Sequence, residues 1–188
     1  MEENNKVKNE KSFAGLIFDV VSIIATAVIA VGICFTFLVR TIQVSGDSMF
    51  PTLKDKEQIV LKSVYNKPVN GDIVVTAQPN ESPFIEDVLV KRVIATEGQT
   101  IKFERNADGK TYSVFVDDKK LDEPYINEPV EKLLNYWTPV TVPEGYVYVM
   151  GDNRNFSSDS RDNRIGMIRE EYIMGKVVYK AAPFGPVK

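Results

Sequence analysis

The sequence predicts a mainly β protein: an antiparallel β-rich domain behind a single N-terminal transmembrane helix. Three observations lead there. Residues 20–39, VVSIIATAVIAVGICFTFLV, run for 20 residues without a charge; as a helix rising about 1.5 Å per residue they reach roughly 30 Å, the thickness of bilayer hydrocarbon. Beyond Arg40 the chain breaks into short segments rich in β-branched and aromatic residues, separated by turn residues. Helical periodicity is sparse in this part, with short possibilities only at 128–136 and 168–173.

In chain order, residues 1–11 (MEENNKVKNEK) are too polar to pack and are expected to form a disordered cytoplasmic N-terminus. The anchor helix is expected over 12–40, with SFAGLIF at the membrane interface. An ionised carboxylate is costly in hydrocarbon, which places Asp19 near its boundary. The triplet ATA at 25–27 resembles a secretory cleavage site, but a signal's apolar core spans about 7–15 residues and this run continues well past the triplet, so an uncleaved anchor is expected. Lys6, Lys8 and Lys11 precede the span against Arg40 and Lys54 after it, which puts the N-terminus in the cytoplasm and residues 41–188 outside it. Strands are expected at 58–64, 72–77, 87–96, 100–104, 111–117, 146–150 and 175–181, with NADG (106–109) as a hairpin turn. A small insertion or lid is expected around 104–139, and its segment 122–139, with three prolines, reads as a loop over the sheet.

Composition narrows the chemistry. With 23 basic and 26 acidic residues there is no basic footprint for nucleic acid. The chain has no histidine, and its one cysteine, Cys34, lies in the apolar run. A Ser-His-Asp triad, a Cys-His pair and a histidine-containing zinc site all need an imidazole, so no metal or other cofactor is expected. A hydrolase of this composition must draw its general base from a lysine, a carboxylate or a terminal amine.

Three stretches carry such chemistry. In DVLVKRVIAT (87–96), strand alternation turns Lys91 toward the core if Arg92 faces solvent. Packing beside Leu89 and Val93 then disfavours the ammonium and lowers the pKa from about 10.4. A neutral amine can take a proton from a hydroxyl; an arginine cannot. In VSGDSMFPT (44–52), Ser48 is the hydroxyl of choice. Gly46 permits close backbone approach, Met49 lines an apolar wall, and the Ser48 amide is placed to donate to an oxyanion. In GDNRNFSSDSR (151–161), Ser157 is placed to orient the Lys91 amine, while Asp159 and Arg161 pair to hold the loop.

SGDSMFPT, GDIVV (71–75), KRVIATEGQ (91–99) and GDNRNFSSDSR, in this order behind one anchor, resemble the type I signal peptidases, in the compact form common in Gram-positive bacteria. The resemblance implies a membrane-bound serine endopeptidase that removes signal peptides from exported preproteins. Ser48 would be the nucleophile, Lys91 the base, and Ser157, Asp159 and Arg161 supporting residues. It implies cleavage after small side chains, with an extended substrate between the segments before Ser48 and before Lys91; Val44, Met49, Leu89 and Val90 are the expected pocket residues. Some members carry a serine two positions before the nucleophile that binds the oxyanion; Gly46 stands there, so backbone amides are expected to supply the hole. Expected partners are signal peptides, the lipid bilayer and a nearby secretion translocon, with Phe50 and Phe84 as candidates for a lipid-facing rim. Two alternatives compete: a membrane-tethered non-catalytic β-domain or inactive homologue that binds exported proteins, and a self-cleaving repressor-type Ser/Lys peptidase. The second needs a DNA-binding domain where this chain has its apolar run.

Overall fold

The computed structural model describes residues 13–63, 66–77, 88–134, 139–182 and 184–187. The chain divides into two units, residues 1–38 and 39–188.

The first unit is helix α1, Phe13–Leu38. Residues Phe13–Ile33 are long and apolar enough to cross a membrane. The helix begins at the first described residue and ends two residues short of the expected Arg40. It starts ahead of the uncharged run, so Asp19 lies inside the candidate span. It stops at Leu38, and Val39 and Arg40 belong to a strand. That end was hidden because an unbroken apolar run carries no cap or turn residue to mark a change of conformation. The predicted cytoplasmic tail lies outside the described residues.

The second unit is antiparallel β. Its strands are β1 (Val39–Gln43), β2 (Gln58–Lys62), β3 (Ile73–Ala77), β4 (Val88–Thr96), β5 (Thr100–Arg105), β6 (Tyr112–Val116), β7 (Lys119–Lys120), β8 (Val140–Thr141), β9 (Tyr146–Met150), β10 (Ile168–Arg169), β11 (Ile173–Ala182) and β12 (Phe184–Pro186). The larger sheet runs β1-β2-β11-β3-β4-β9-β10, with β12 on β11; the smaller runs β7-β6-β5-β8. The expected hairpin at NADG joins β5 to β6, with Gly109 at φ 65° in the left-handed region that favours glycine. Helix is absent from the described part of 128–136. Pro129 precedes Val130, whose backbone bridges to Tyr112 instead. Around 168–173 the chain forms β10 and one 3₁₀ turn, Glu170–Tyr172.

Two features of the larger sheet position the site. Strand β4 is central, with β3 along Val88–Arg92 on one side and β9 along Arg92–Thr96 on the other. Residues 88–91 therefore have no strand on the β9 side among the described residues. Second, the turn after β1 is fastened from below. Val44, Met49 and Leu53 pack into one apolar cluster with Ile59, Leu61, Ile73, Val75 and Val177. Met49 and Leu53 are fully buried, and each such side chain contributes about 1.5–3 kcal/mol relative to exposure. The turn between them cannot slide without exposing one of the two.

Candidate active site

The chain enters the site at Gly46, whose φ of 81° an L side chain rarely adopts. The Gly46 amide donates to the Asp55 carboxylate at 2.9 Å, so it is already engaged. The turn closes with Phe50 N donating to Asp47 O and Leu53 N to Met49 O. Ser48 is held between these bonds, half-buried.

Lys91 meets it from β4. The amine donates to the Ser48 hydroxyl at 2.8 Å and to its neighbour's carbonyl, Val90 O, at 3.2 Å. Lys91 is only 3 % exposed, a depth that disfavours an ammonium unless it is compensated. Beside the pair lies a cleft of about 230 Å³, lined by Ile42, Val44 and Met49 from one segment and Val88, Leu89 and Val90 from the other. All four expected pocket residues line this cleft. Ile42 and Val88 were missed, since nothing in an apolar strand residue distinguishes a cleft wall from the core. Phe50 is half-buried, and Phe84 lies outside the described residues.

The third segment, 151–162, wraps the nucleophile from its backbone side. Asn153 N donates to Ser48 O and Asn153 Nδ2 to Asp47 O, both at 3.0 Å. Gly151 packs directly against the Ser48 carbonyl. Asp159 and Arg161 form the expected pair, fully buried and bidentate, with both nitrogen–oxygen distances 2.8 Å. Burial pushes the Asp159 carboxyl up, but the Arg161 guanidinium, the Gly151 amide and the nearby Ser157 hydroxyl outweigh it and hold the carboxyl below its usual range. Ser157, expected to orient the Lys91 amine, lies against Gly151, beside the Asp159 carboxylate.

Breaking this pair has a calculable consequence. Asp159→Asn strands a buried guanidinium and is expected to cost about 3–5 kcal/mol at neutral pH. A carboxyl whose folded pKa lies below its unfolded value, about 3.9, stabilises the fold fully above that value and loses the contribution as pH falls through the folded pKa. Thermal unfolding followed against pH should therefore show the wild-type Tm dropping below about pH 4, with Asp159→Asn lower at neutral pH and flatter across that window.

Arg92 corrects the sequence reading. It is 4 % exposed and not solvent-facing. Its guanidinium donates to both oxygens of Asp152, at 2.8 and 2.7 Å, and lies 3.9 Å from the centre of the Tyr125 ring. Alternation still holds along β4; the error lay in assuming one wet face, since a central strand has both faces covered. Asp152 also accepts from the Thr52 hydroxyl, so one carboxylate ties β4 to the nucleophile turn. Arg92, Asp152, Thr52 and Arg154 were missed as supports. The signal available was four closely placed residues, GDNR, able to pair with charge elsewhere; their partners are distant in sequence.

A β fold that sets a serine hydroxyl against a buried lysine amine, beside a cleft walled by two extended segments, has the geometry of a Ser/Lys hydrolase for extended chains. The family model described as signal peptidase, peptidase S26, matches residues 17–181. A signal peptidase I of Bacillus licheniformis is 33 % identical over 182 residues, covering 92 % of this chain and 92 % of that protein. A signal peptidase IB of Staphylococcus aureus is 33 % identical over 183 residues, covering 88 % and 89 %. A crystal structure of a signal peptidase I from Enterococcus faecalis aligns with a TM-score of 0.47 and 27 % identity, over 60 % of this chain and 98 % of that one. The chain belongs to the peptidase S26 family of signal peptidases.

Proposed function

We propose that the chain removes signal peptides from exported preproteins, with Ser48 as nucleophile and Lys91 as general base. Family membership carries the activity, a serine endopeptidase. The observation that supports the residue roles is the 2.8 Å contact between the Lys91 amine and the Ser48 hydroxyl, at a lysine withdrawn from water. A β-domain that only binds exported proteins has no use for that arrangement.

The steps follow from the geometry. The neutral amine takes the Ser48 proton as the oxygen attacks the scissile carbonyl. The resulting oxyanion is held by the Ser48 amide, since the Gly46 amide is occupied by Asp55. The Lys91 ammonium returns its proton to the leaving amine, the new N-terminus of the mature protein, and the signal peptide remains esterified to Ser48. Water, deprotonated by the same amine, attacks the ester; the C–Oγ bond breaks, the signal peptide leaves as a carboxylate, and the Lys91 ammonium returns its proton to the Ser48 oxygen. The substrate adds as an extended strand alongside residues 88–90, where backbone bonds give affinity and alternate side chains enter the cleft. The apolar helix fits a membrane anchor. An N-terminus in the cytoplasm, with the peptidase unit outside and near the secretion translocon, places enzyme and signal peptide in one bilayer and raises their effective concentration.

The test uses the full chain in detergent with a preprotein bearing Ala at the first and third positions before the cut. Cleavage is expected at that site alone. Phe or Trp at the first position should reduce kcat/KM by about 100-fold, as cleavage after small side chains requires. The profile of kcat/KM against pH should rise through one ionisation, that of the base in the free enzyme. Equal cleavage of the Ala and Trp substrates, or a flat acid side, would remove the proposal.

A further inference from the structure

Three arginines are buried around the nucleophile, and each has one carboxylate against it. Arg92 is paired with Asp152 and Arg161 with Asp159. Both carboxylates come from the loop 151–162. Arg154 is the exception. Its side chain is fully buried on that loop, yet its carboxylate is Glu123, at 2.6 Å, supplied by the segment 122–132. The loop alone is therefore left with an uncompensated guanidinium, and the segment completes its charge.

That segment has little regular structure and is fixed to the loop at several points. Asn155 Nδ2 donates to Pro129 O at 3.0 Å, and Glu131 N donates to Asn155 Oδ1 at 2.9 Å. Arg161 donates to Lys132 O at 3.2 Å. Tyr125 lies by two of these arginines: its ring centre is 3.9 Å from the Arg92 guanidinium and 5.9 Å from that of Arg154. One aromatic ring thus lies near two buried cations, an attraction strengthened by exclusion of water. The Tyr125 hydroxyl donates to Glu123 at 3.2 Å. Burial, with Glu123 beside it, pushes its pKa up to about 12, so it remains a donor at any working pH.

The line to the reacting atoms is short. Arg154 Nε donates to Gly151 O at 3.1 Å. Gly151 packs on the Ser48 carbonyl, and Asn153 holds that carbonyl and the one before it. One guanidinium nitrogen of Arg154 has no hydrogen-bond partner among the described residues, so its seating depends on Glu123 and on the Tyr125 ring.

We propose that Glu123 and Tyr125 are positioning residues for the proteolytic step: by seating Arg154 they press Gly151 and Asn153 against the backbone of Ser48 and keep its hydroxyl aligned with the Lys91 amine. This rests on the proposed Ser48/Lys91 dyad. Loss of the segment's hold lets the loop lift, admits water to Lys91 and favours its ammonium, so the acid limb of the pH profile moves to higher pH. A displacement of about 1 Å at the nucleophile is enough to lower the rate up to about 100-fold.

The experiment compares full-length Glu123→Gln, Glu123→Asp, Tyr125→Leu and Tyr125→Phe, with Asp122→Asn as an exposed neighbour on the same segment. Each is assayed on the Ala-bearing preprotein, with active sites counted by an acylating inhibitor and Tm recorded. Per counted site, Glu123→Gln and Tyr125→Leu are expected to lose about 10- to 100-fold in kcat with KM within about twofold, and to shift the acid limb upward. Tyr125→Phe should recover most of the rate, Glu123→Asp should lose about three- to tenfold, and Asp122→Asn should match wild type. Wild-type kcat and acid limb in Glu123→Gln and Tyr125→Leu, with only Tm lowered, would overturn the proposal. If those two do not fold, the decision passes to Glu123→Asp, and an unchanged kcat there overturns it equally. A Ser48→Ala control separates the two readings: residual cleavage in that variant brings down the dyad, whereas an inactive control beside wild-type kcat in the Glu123 and Tyr125 variants brings down this inference alone.

Discussion

Replacing Lys91 by Ala, with Ser48 intact, is expected to lower kcat by about 10³- to 10⁴-fold and leave KM nearly unchanged. The amine acts only as the hydroxyl loses its proton, so its removal affects the transition state and not the binding of an extended chain along residues 88–90. Ser48→Ala should reach a comparable floor, and the double variant should fall no further, because the two groups act as one unit. Lys91→Arg should not restore activity, since a guanidinium does not deprotonate at working pH and its plane does not fit where a linear amine reaches Ser48 at 2.8 Å. Preprotein cleavage per folded molecule decides the matter. More than a tenth of wild-type kcat in Lys91→Ala would show that some other group takes the proton.

The second large effect comes from a residue with no side chain. A Cβ on Gly151 would lie 2.3 Å from Ser157 Oγ, 2.4 Å from the Ser48 carbonyl oxygen and 2.6 Å from Ser157 Cβ, where real contacts of that atom essentially never fall below 3.0 Å. The Ser48 carbonyl has no room to yield, because Asn153 N holds it and Met49 fixes the turn below. Gly151→Ala must therefore part the loop from the nucleophile turn. The expected result is a drop in kcat of about 100-fold or more, with a loss of stability of about 1–3 kcal/mol from overpacking. Gly185→Ala, where an added Cβ meets nothing within 4 Å, serves as the neutral comparison. Single-turnover acylation against Tm separates the effects; a Gly151→Ala enzyme that acylates at the wild-type rate would show that the close approach has no part in alignment.

The dyad was legible in the sequence because its signal is local. A lysine inside an apolar strand, and a serine on a glycine- and proline-bounded turn, each contradict their surroundings, and the absence of histidine leaves few other bases. Seven of the eight longer strands were legible for the same reason, through alternation and turn residues. Strands β7, β8, β10 and β12, of two or three residues, are too short to show a period, and β1 was absorbed into the apolar run before it. The supports of the site were hidden by distance along the chain. Arg92 meets Asp152 across 60 positions and Arg154 meets Glu123 across 31. No spacing rule links such pairs. The segment 122–139 gave only prolines and aromatics, which suit a surface loop equally well; what sets it apart is the guanidinium it neutralises. Residues 135–138 of it lie outside the described structure.

Asp152 accepts from Arg92 on the strand that carries the base and from Thr52 on the turn that carries the nucleophile. Three positions far apart in the gene thus share a single anion. Exchanges among them will be epistatic, with departures from additivity of about 0.5–3 kcal/mol. A sequence drifting under selection for secretion can cross such a site only by concerted steps, first relaxing one donor and then resetting the other.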